Sequence, residues 1–451
     1  MDKILTKNDL KLKRRKQYRQ IIALSIPILG QSIFEPIMMW IDTFITGNFL
    51  GTDELGSITI ATSITQALIG IFVFMIYTTN VTVATAFGAN KRSEGLRAGL
   101  DSVFLSLIIG GALSLFLYFA APFIIGTFHS TTEVYEGGVA YMRGYALGVT
   151  QIMISMSLLG ILRGMRLYKI PVYTAIASCI INAVLSYMLG VMFGMGLFGV
   201  ALSTTIGNTI GMIIFGVPFA RALFVEKVRL NPSLTGLKGV MKTGAPIFIR
   251  TVALWGSITF LMYQTAFHGT EFIAACQVLD AILVISYIFL DAIAMSIQTI
   301  ISEQIGAKSF DEANDTFAAA LHLGLYVGTG LFVFMCASAP FLCDFFTNDT
   351  NLYWYIVLGT VEEAVCMWHF SVAFITDGAL IAAEDGWYLS KVILVAMAIF
   401  IPLVSAVSLG APSTPIGFLL IWIPYDFVFN GTRAIGGFRR YKTGDWLKKY
   451  L

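Results

Sequence analysis

The residues whose types and spacing point to chemistry sit in apolar surroundings. Glu35 and Asp42 lie seven residues apart in the otherwise apolar stretch 33–42. At about 100° per residue, two such positions share a helix face. A carboxylate inside a membrane helix is costly and by default marks an ion or proton path. The plainer alternative is a polar side chain satisfied by a neighbouring helix. Pro36 follows Glu35 directly, removes a backbone donor and is a candidate hinge.

A second set lies in the C-terminal half. Asp280 and Asp291 are eleven residues apart, three turns, and so share a face. Glu362 and His369 are seven apart, with Glu363 beside them. Arg250 sits well inside an apolar segment and needs a counter-charge, for which one of these acids is the expected partner. That pair would be either structural glue or part of a site. Gln277 adds a polar group one turn before Asp280. An imidazole near a carboxylate titrates near neutral pH, as a proton relay requires. Arg250, Gln277, Asp280, Asp291, Glu362, Glu363 and His369 are therefore candidates for a substrate cavity or a relay. The five cysteines fall in apolar segments with no CxxC pair, which reads as core rather than a metal site or a disulfide framework. No metal and no cofactor beyond a coupling H+ or Na+ is expected.

The elements that must position these groups are membrane helices. The chain has 451 residues, 57% hydrophobic and only 12% charged, with a mean hydropathy of +0.79. Soluble domains carry about 25% charged residues. Apolar runs long enough to cross a bilayer fall at 20–46, 57–86, 98–126, 138–161, 171–192, 196–221, 240–267, 273–302, 316–346, 352–376, 388–409 and 415–437. The predicted fold is an all-α polytopic membrane protein of twelve transmembrane helices. Residues 1–20 are polar and basic and the first apolar run is a full span, so no cleavable signal is expected.

Charge predicts the orientation. Of 29 Lys and Arg, 27 lie in the leader, the tail, the connections after even-numbered runs or the helix ends beside them. The other connections carry none, and Arg143 and Arg250 remain within helices away from the loop ends. By the positive-inside rule both termini are cytoplasmic, which suits a cell membrane protein, most simply of a bacterial inner membrane.

The chain also repeats. Ala121-Pro122-Phe123 recurs as Ala339-Pro340-Phe341, Gly88-Ala89 as Gly306-Ala307, and Gly51-Thr52 as Gly269-Thr270, each 218 residues on. Pro27 recurs as Pro246. Six helices per copy is an even number, so the copies are parallel repeats, an arrangement that places a transport site between halves. The predicted organisation is a basic leader (1–19), an N-terminal six-helix bundle (20–221), a cytoplasmic linker (222–239), a C-terminal six-helix bundle (240–437) and a basic tail (438–451).

The run Trp40-Ile41-Asp42-Thr43-Phe44-Ile45-Thr46-Gly47-Asn48-Phe49-Leu50-Gly51 resembles the helix 1 signature of the multidrug and toxic-compound extrusion (MATE) family. Gly88-Ala89-Asn90-Lys91-Arg92 and Gly306-Ala307-Lys308 resemble its two matching cytoplasmic turns. Leu162-Arg163-Gly164 with Pro171 and Asn182, and Gly194 to Ala201, resemble its helix 4–5 and 5–6 patterns. The resemblance runs through most of the chain and is closer to the DinF-like branch. It implies an exporter of amphipathic, often cationic compounds driven by inward H+ or Na+. It also implies an ion-coupling cluster in the N-terminal half: Asp42 with Asn182 on helix 5 and Thr204 on helix 6. Where that branch has a second acid on helix 5, this chain has Ser186, which weakens a Na+ cage. The helix 7 glutamate of the other branch falls at Leu254 and is absent.

The expected function is a cation-coupled antiporter, H+ rather than Na+, exporting amphipathic cations by alternating access. The expected partners are the substrate and the bilayer, with no nucleic acid, and the expected state is a monomer. A flippase for a lipid-linked precursor is the nearer rival; a lipid phosphate would call for more cavity arginines than Arg143 and Arg250. A membrane enzyme is disfavoured because His129, His268, His322 and His369 are scattered and the outer connections are short. A channel is disfavoured because no filter-like sequence appears.

Overall fold

The computed structural model describes residues 7–346 and 349–450. Every regular element among them is helical. The N-terminal half begins with α1 (Lys7–Ile45), which ends in a π turn at Thr46–Leu50. Then come α2 (52–88, with a 3-10 turn at Ile71–Val73), α3 (Arg92–Gly126) and α4 (Thr132–Gly164). They are followed by α5 (Lys169–Leu185, continued as a π segment Ser186–Met192) and α6 (Gly196–Val225). The C-terminal half holds α7 (Leu234–Ala266), α8 (Thr270–Gly306), α9 (Phe310–Phe346), α10 (Tyr353–Ala382) and α11 (Gly386–Gly410). The last rod, α12, is built from Pro415–Ile423, a π segment Pro424–Asn430 and Gly431–Lys442. Eleven of the twelve rods are long and apolar enough to cross a membrane. The twelfth is interrupted where a single run was expected, and Pro424 opens the interruption.

Two compact units emerge: residues 27–244 form one, and residues 7–26 with 245–450 form the other. Each boundary falls inside a helix beside a proline of the repeat, Pro27 in α1 and Pro246 in α7. α7 starts earlier than its apolar run because Ser233 caps it. The Ser233 Oγ accepts from the Gly236 N–H at 2.8 Å, and the Ser233 N–H donates to Asp101 Oδ1 at 2.9 Å. The capping hydroxyl satisfies an orphan helix donor, and Asp101 ties the connector to α3.

The repeat is visible in the backbone. Asn90 and Lys308 both turn at φ 59°, and Arg166 and Glu384 at 60° and 54°, each pair 218 apart. The closing hydrogen bonds correspond: Lys91 N–H to Ala86 O and Ser309 N–H to Gln304 O are both 2.8 Å. Gly51 and Gly269 precede α2 and α8 at φ 144° and 107°, a region that suits glycine. Thr131 and Asp349 occupy equivalent caps before α4 and before the 3-10 turn leading into α10.

In the unit 27–244, α4 packs against α2, α3 and α6; in the other, its counterpart α10 packs against α8, α9 and α12. Lipid tails are as apolar as leucine, so these crossings hold by close contact rather than by water exclusion. Close contacts are again paired. A Cβ on Gly160 would lie 2.6 Å from the Ile76 carbonyl oxygen, and one on Gly378 would lie 2.5 Å from that of Ala294. Gly160→Ala or Gly378→Ala should therefore cost about 1–3 kcal/mol through overpacking, read as a lower melting temperature in detergent. Gly216→Ala, with nothing near its Cβ, serves as the control. Equal melting of all three variants would refute the packing role.

Candidate functional site

α1 carries Asp42 into the interior of the unit 27–244, where the residue is only 6% exposed. Two hydroxyls donate to its carboxylate: Ser186 Oγ to Oδ1 at 2.7 Å, and Thr204 Oγ1 to Oδ2 at 3.2 Å. Asn182 stands behind them. Its Nδ2 donates to Thr204 Oγ1 at 3.0 Å and to Ser203 Oγ at 3.3 Å. Ser203 and Ser186 share a further short hydrogen bond between their hydroxyls. Three helices thus meet on one carboxylate. The π segment of α5 opens at Ser186 itself, and the π turn of α1 begins one turn beyond Asp42. Single-turn π geometry inside helices is frequent at functional sites, where it re-aims side chains.

Among the described residues no lysine, arginine or histidine pairs with Asp42. The site offers hydroxyl donors and no fixed positive charge. Two buried oxygens nearby lack a hydrogen-bond partner, Asn182 Oδ1 and Thr46 Oγ1, the latter one helical turn from Asp42. A carboxylate in such a shell can exchange a proton or accept a cation without displacing a resident counter-ion. The structure brings together Asp42, Asn182, Ser186 and Thr204. It adds Ser203 and Thr46, which sequence reasoning missed. Ser203 had one signal, its place beside Thr204. Pro36 lies within the α-helical part of α1, six residues before Asp42. Glu35 lies outside the residues whose side chains are described.

The candidates of the C-terminal half divide into two groups. Arg250 on α7 donates through Nη2 to Asp377 Oδ2 on α10. Arg433 on α12 donates to the same oxygen at 2.8 Å, and its Nη1 donates to Asn430 Oδ1 at 2.6 Å. One carboxylate, absent from the sequence candidates, therefore links three helices. Asp291 is half-buried on α8.

The second group surrounds Glu362 and Glu363, both buried on α10. The carboxyl of Glu362 faces that of Asp426, which is fully buried in the π segment of α12. A contact between two carboxyls is a hydrogen bond only when a proton lies between them. Cys366 Sγ donates to Glu362 Oε1 at 3.7 Å. Both carboxyl oxygens of Glu363 and of Asp426 lack a conventional donor among the described residues. His369 instead contacts the main chain, its Nε2 2.8 Å from the Asp426 carbonyl, with its ring against Phe370 and Phe427. Asp280 and Gln277 lie on α8. Among the described residues no group of three His, Cys, Asp or Glu side chains could hold a metal ion.

Comparison with known proteins fits this geometry. The MatE family profile matches residues 27–188 and 246–408, once per repeat. The chain is 24% identical over 460 residues to Protein DETOXIFICATION 45, chloroplastic, of Arabidopsis thaliana, covering 95% of this chain and 79% of that one. It is 22% identical to DNA damage-inducible protein F of Escherichia coli, covering 84% and 83% of the two chains. The Vibrio cholerae MATE transporter VcmN in the bent form shares the fold, with a TM-score of 0.87 at 16% identity over 97% of this chain and 99% of that one.

Proposed function

The chain belongs to the MatE family of multidrug and toxic-compound transporters, and from that premise we propose that it exchanges inward H+ for outward amphipathic, cationic compounds. The observation that carries this reading is Asp42: a buried carboxylate on α1 with hydroxyl donors and, among the described residues, no cation partner. A proton needs one oxygen, whereas a Na+ cage draws on several charged or carbonyl oxygens. Here Ser186 stands where a second acid would favour such a cage.

In this reading Asp42 alternates between charged and neutral. Neutralising it lowers the cost of its burial and relaxes the pull on Ser186 and Thr204, which join α1 to α5 and α6. α1 then changes shape near Pro36 and releases substrate outward. The proton leaves inward on return. A ligand shifts a conformational equilibrium only by its differential affinity for the two states, and a proton held by Asp42 in one state alone supplies that difference. The buried carboxyls of Glu362, Glu363 and Asp426 form a second reservoir of protons or of substrate contacts in the C-terminal half. In this reading both termini are cytoplasmic, which the basic loops support, and the protein works as a monomer in the cell membrane.

The test is dye efflux from cells or inverted vesicles under an imposed pH gradient and, separately, an imposed Na+ gradient. Efflux driven by pH alone is expected. Efflux driven by Na+ would overturn proton coupling and move the ion to oxygens of Asp42, Asn182 and Thr204. No dye movement under either gradient would favour a lipid-linked precursor flippase of similar architecture.

A further inference from the structure

Arg143 has no role in the proposed cycle. It lies on α4 eleven residues from the helix start, and among the described residues no carboxylate pairs with it. Its Nε is buried without a hydrogen-bond partner, and its guanidinium stacks 5.5 Å from the centroid of the Tyr118 ring. An unpaired arginine at this depth in a membrane helix is expensive. The side chain reduces that cost by leaning back toward its helix start, since helical Cα–Cβ bonds tilt that way.

It leans into a groove. A cavity of about 380 Å³ between α3 and α4 is lined by Pro122, Tyr135, Glu136, Val139, Ala140 and Arg143. Glu136 is exposed and stands two turns nearer the helix start, about 10.5 Å along the axis and on the same face. The groove therefore presents a cation at its deeper end and an anion at its shallower end. The face of α3 beside it is apolar and open: Phe119 and Phe123 are 74% and 78% exposed.

This order matches one class of molecule. In a leaflet the phosphate of a phospholipid lies deeper than the amine of its headgroup, and the acyl chains lie deeper still. We propose that the groove binds a zwitterionic phospholipid with a primary ammonium headgroup, the Arg143 guanidinium holding the phosphate and the Glu136 carboxylate the ammonium. The acyl chains lie along Phe119 and Phe123. A choline headgroup has the same charges but no N–H to give Glu136, and a glycerol headgroup has no cation for it at all. The inference rests on the chain spanning a membrane and is independent of the coupling ion.

The test uses the full-length protein, stripped of lipid in mild detergent. It is offered equal amounts of phosphatidylethanolamine, phosphatidylcholine and phosphatidylglycerol with identical chains, and adducts are read by native mass spectrometry. Phosphatidylethanolamine is expected to be retained several-fold over the other two. Arg143→Gln should reduce its retention about tenfold, the scale of a lost charge-assisted contact. Arg143→Lys should restore part of it, and Glu136→Gln should level phosphatidylethanolamine with phosphatidylglycerol. Equal retention of the three lipids by the unaltered protein would overturn the proposal, as would a preference for phosphatidylglycerol, the mark of a purely anionic site. Undiminished retention by Arg143→Gln would also overturn it. The headgroup comparison on the unaltered chain decides even if a variant fails to fold.

Discussion

Asp42→Asn is expected to bring pH-driven efflux down to the background of cells lacking the transporter, with the fold intact. Asparagine has the same shape, so the packing around the site is kept. Its amide replaces an acceptor with a donor, and the shell can adjust. Ser186 can turn its hydroxyl toward Ser203, which it already contacts, and Thr204 toward the Val200 carbonyl at 3.4 Å. The variant also removes the cost of burying a charge at a residue only 6% exposed. Its melting temperature in detergent should therefore equal or exceed that of the parent. What it loses is the ability to be charged in one conformation and neutral in the other. Without a titrating group at this position the proton has no differential affinity to contribute. Retained substrate binding with lost efflux is the expected signature, read by dye fluorescence titration beside the transport assay. Near-normal pH-driven efflux would remove Asp42 from the mechanism.

The membrane architecture was legible because length and hydropathy are one-dimensional signals. The 218-residue repeat was legible for the same reason, and it returns in the paired turns at Asn90 and Lys308 and in the crossings at Gly160 and Gly378. The cluster around Asp42 was not readable from spacing: Ser186 and Thr204 are 144 and 162 residues away. Only the family resemblance joined them. Asp426 escaped notice because the run 415–437 reads as one unbroken span, and this acid meets Glu362 only across helices. The π segment that buries it has no sequence signature of its own. Arg433 was misleading in a different way. It counts among the basic residues that orient the chain, yet it is 6% exposed and paired with Asp377. Arg163 likewise reads as a loop charge, but it is buried and donates to Gln31 Oε1 at 3.0 Å. Charge counting assigns a side of the membrane; it does not say which charges reach water.

Asp377→Asn should be the most destabilising single change in the C-terminal half. Asp377 Oδ2 accepts from both Arg250 and Arg433, so α7, α10 and α12 converge on one oxygen. Arg433 is further confined by Asn430 and by the rings of Phe374 and Phe429, 5.9 and 6.0 Å from its guanidinium carbon. It cannot swing out to water without breaking these contacts. Removing the negative charge leaves two guanidinium groups facing a neutral amide, and breaking a buried pair in this way costs about 3–5 kcal/mol. The expected result is a lower yield and a clearly lower melting temperature in detergent. The double variant Asp377→Asn/Arg250→Gln discriminates between lost charge balance and lost shape. If the charges are coupled, removing one guanidinium returns part of the stability, with a coupling of about 0.5–3 kcal/mol. Transport per folded molecule settles whether the trio also belongs to the working site. A purely structural triad leaves the efflux of surviving Asp377→Asn protein unchanged, whereas a substrate-facing Arg250 changes it even after correction for yield. An unaltered melting temperature would show that the three helices are held by packing alone.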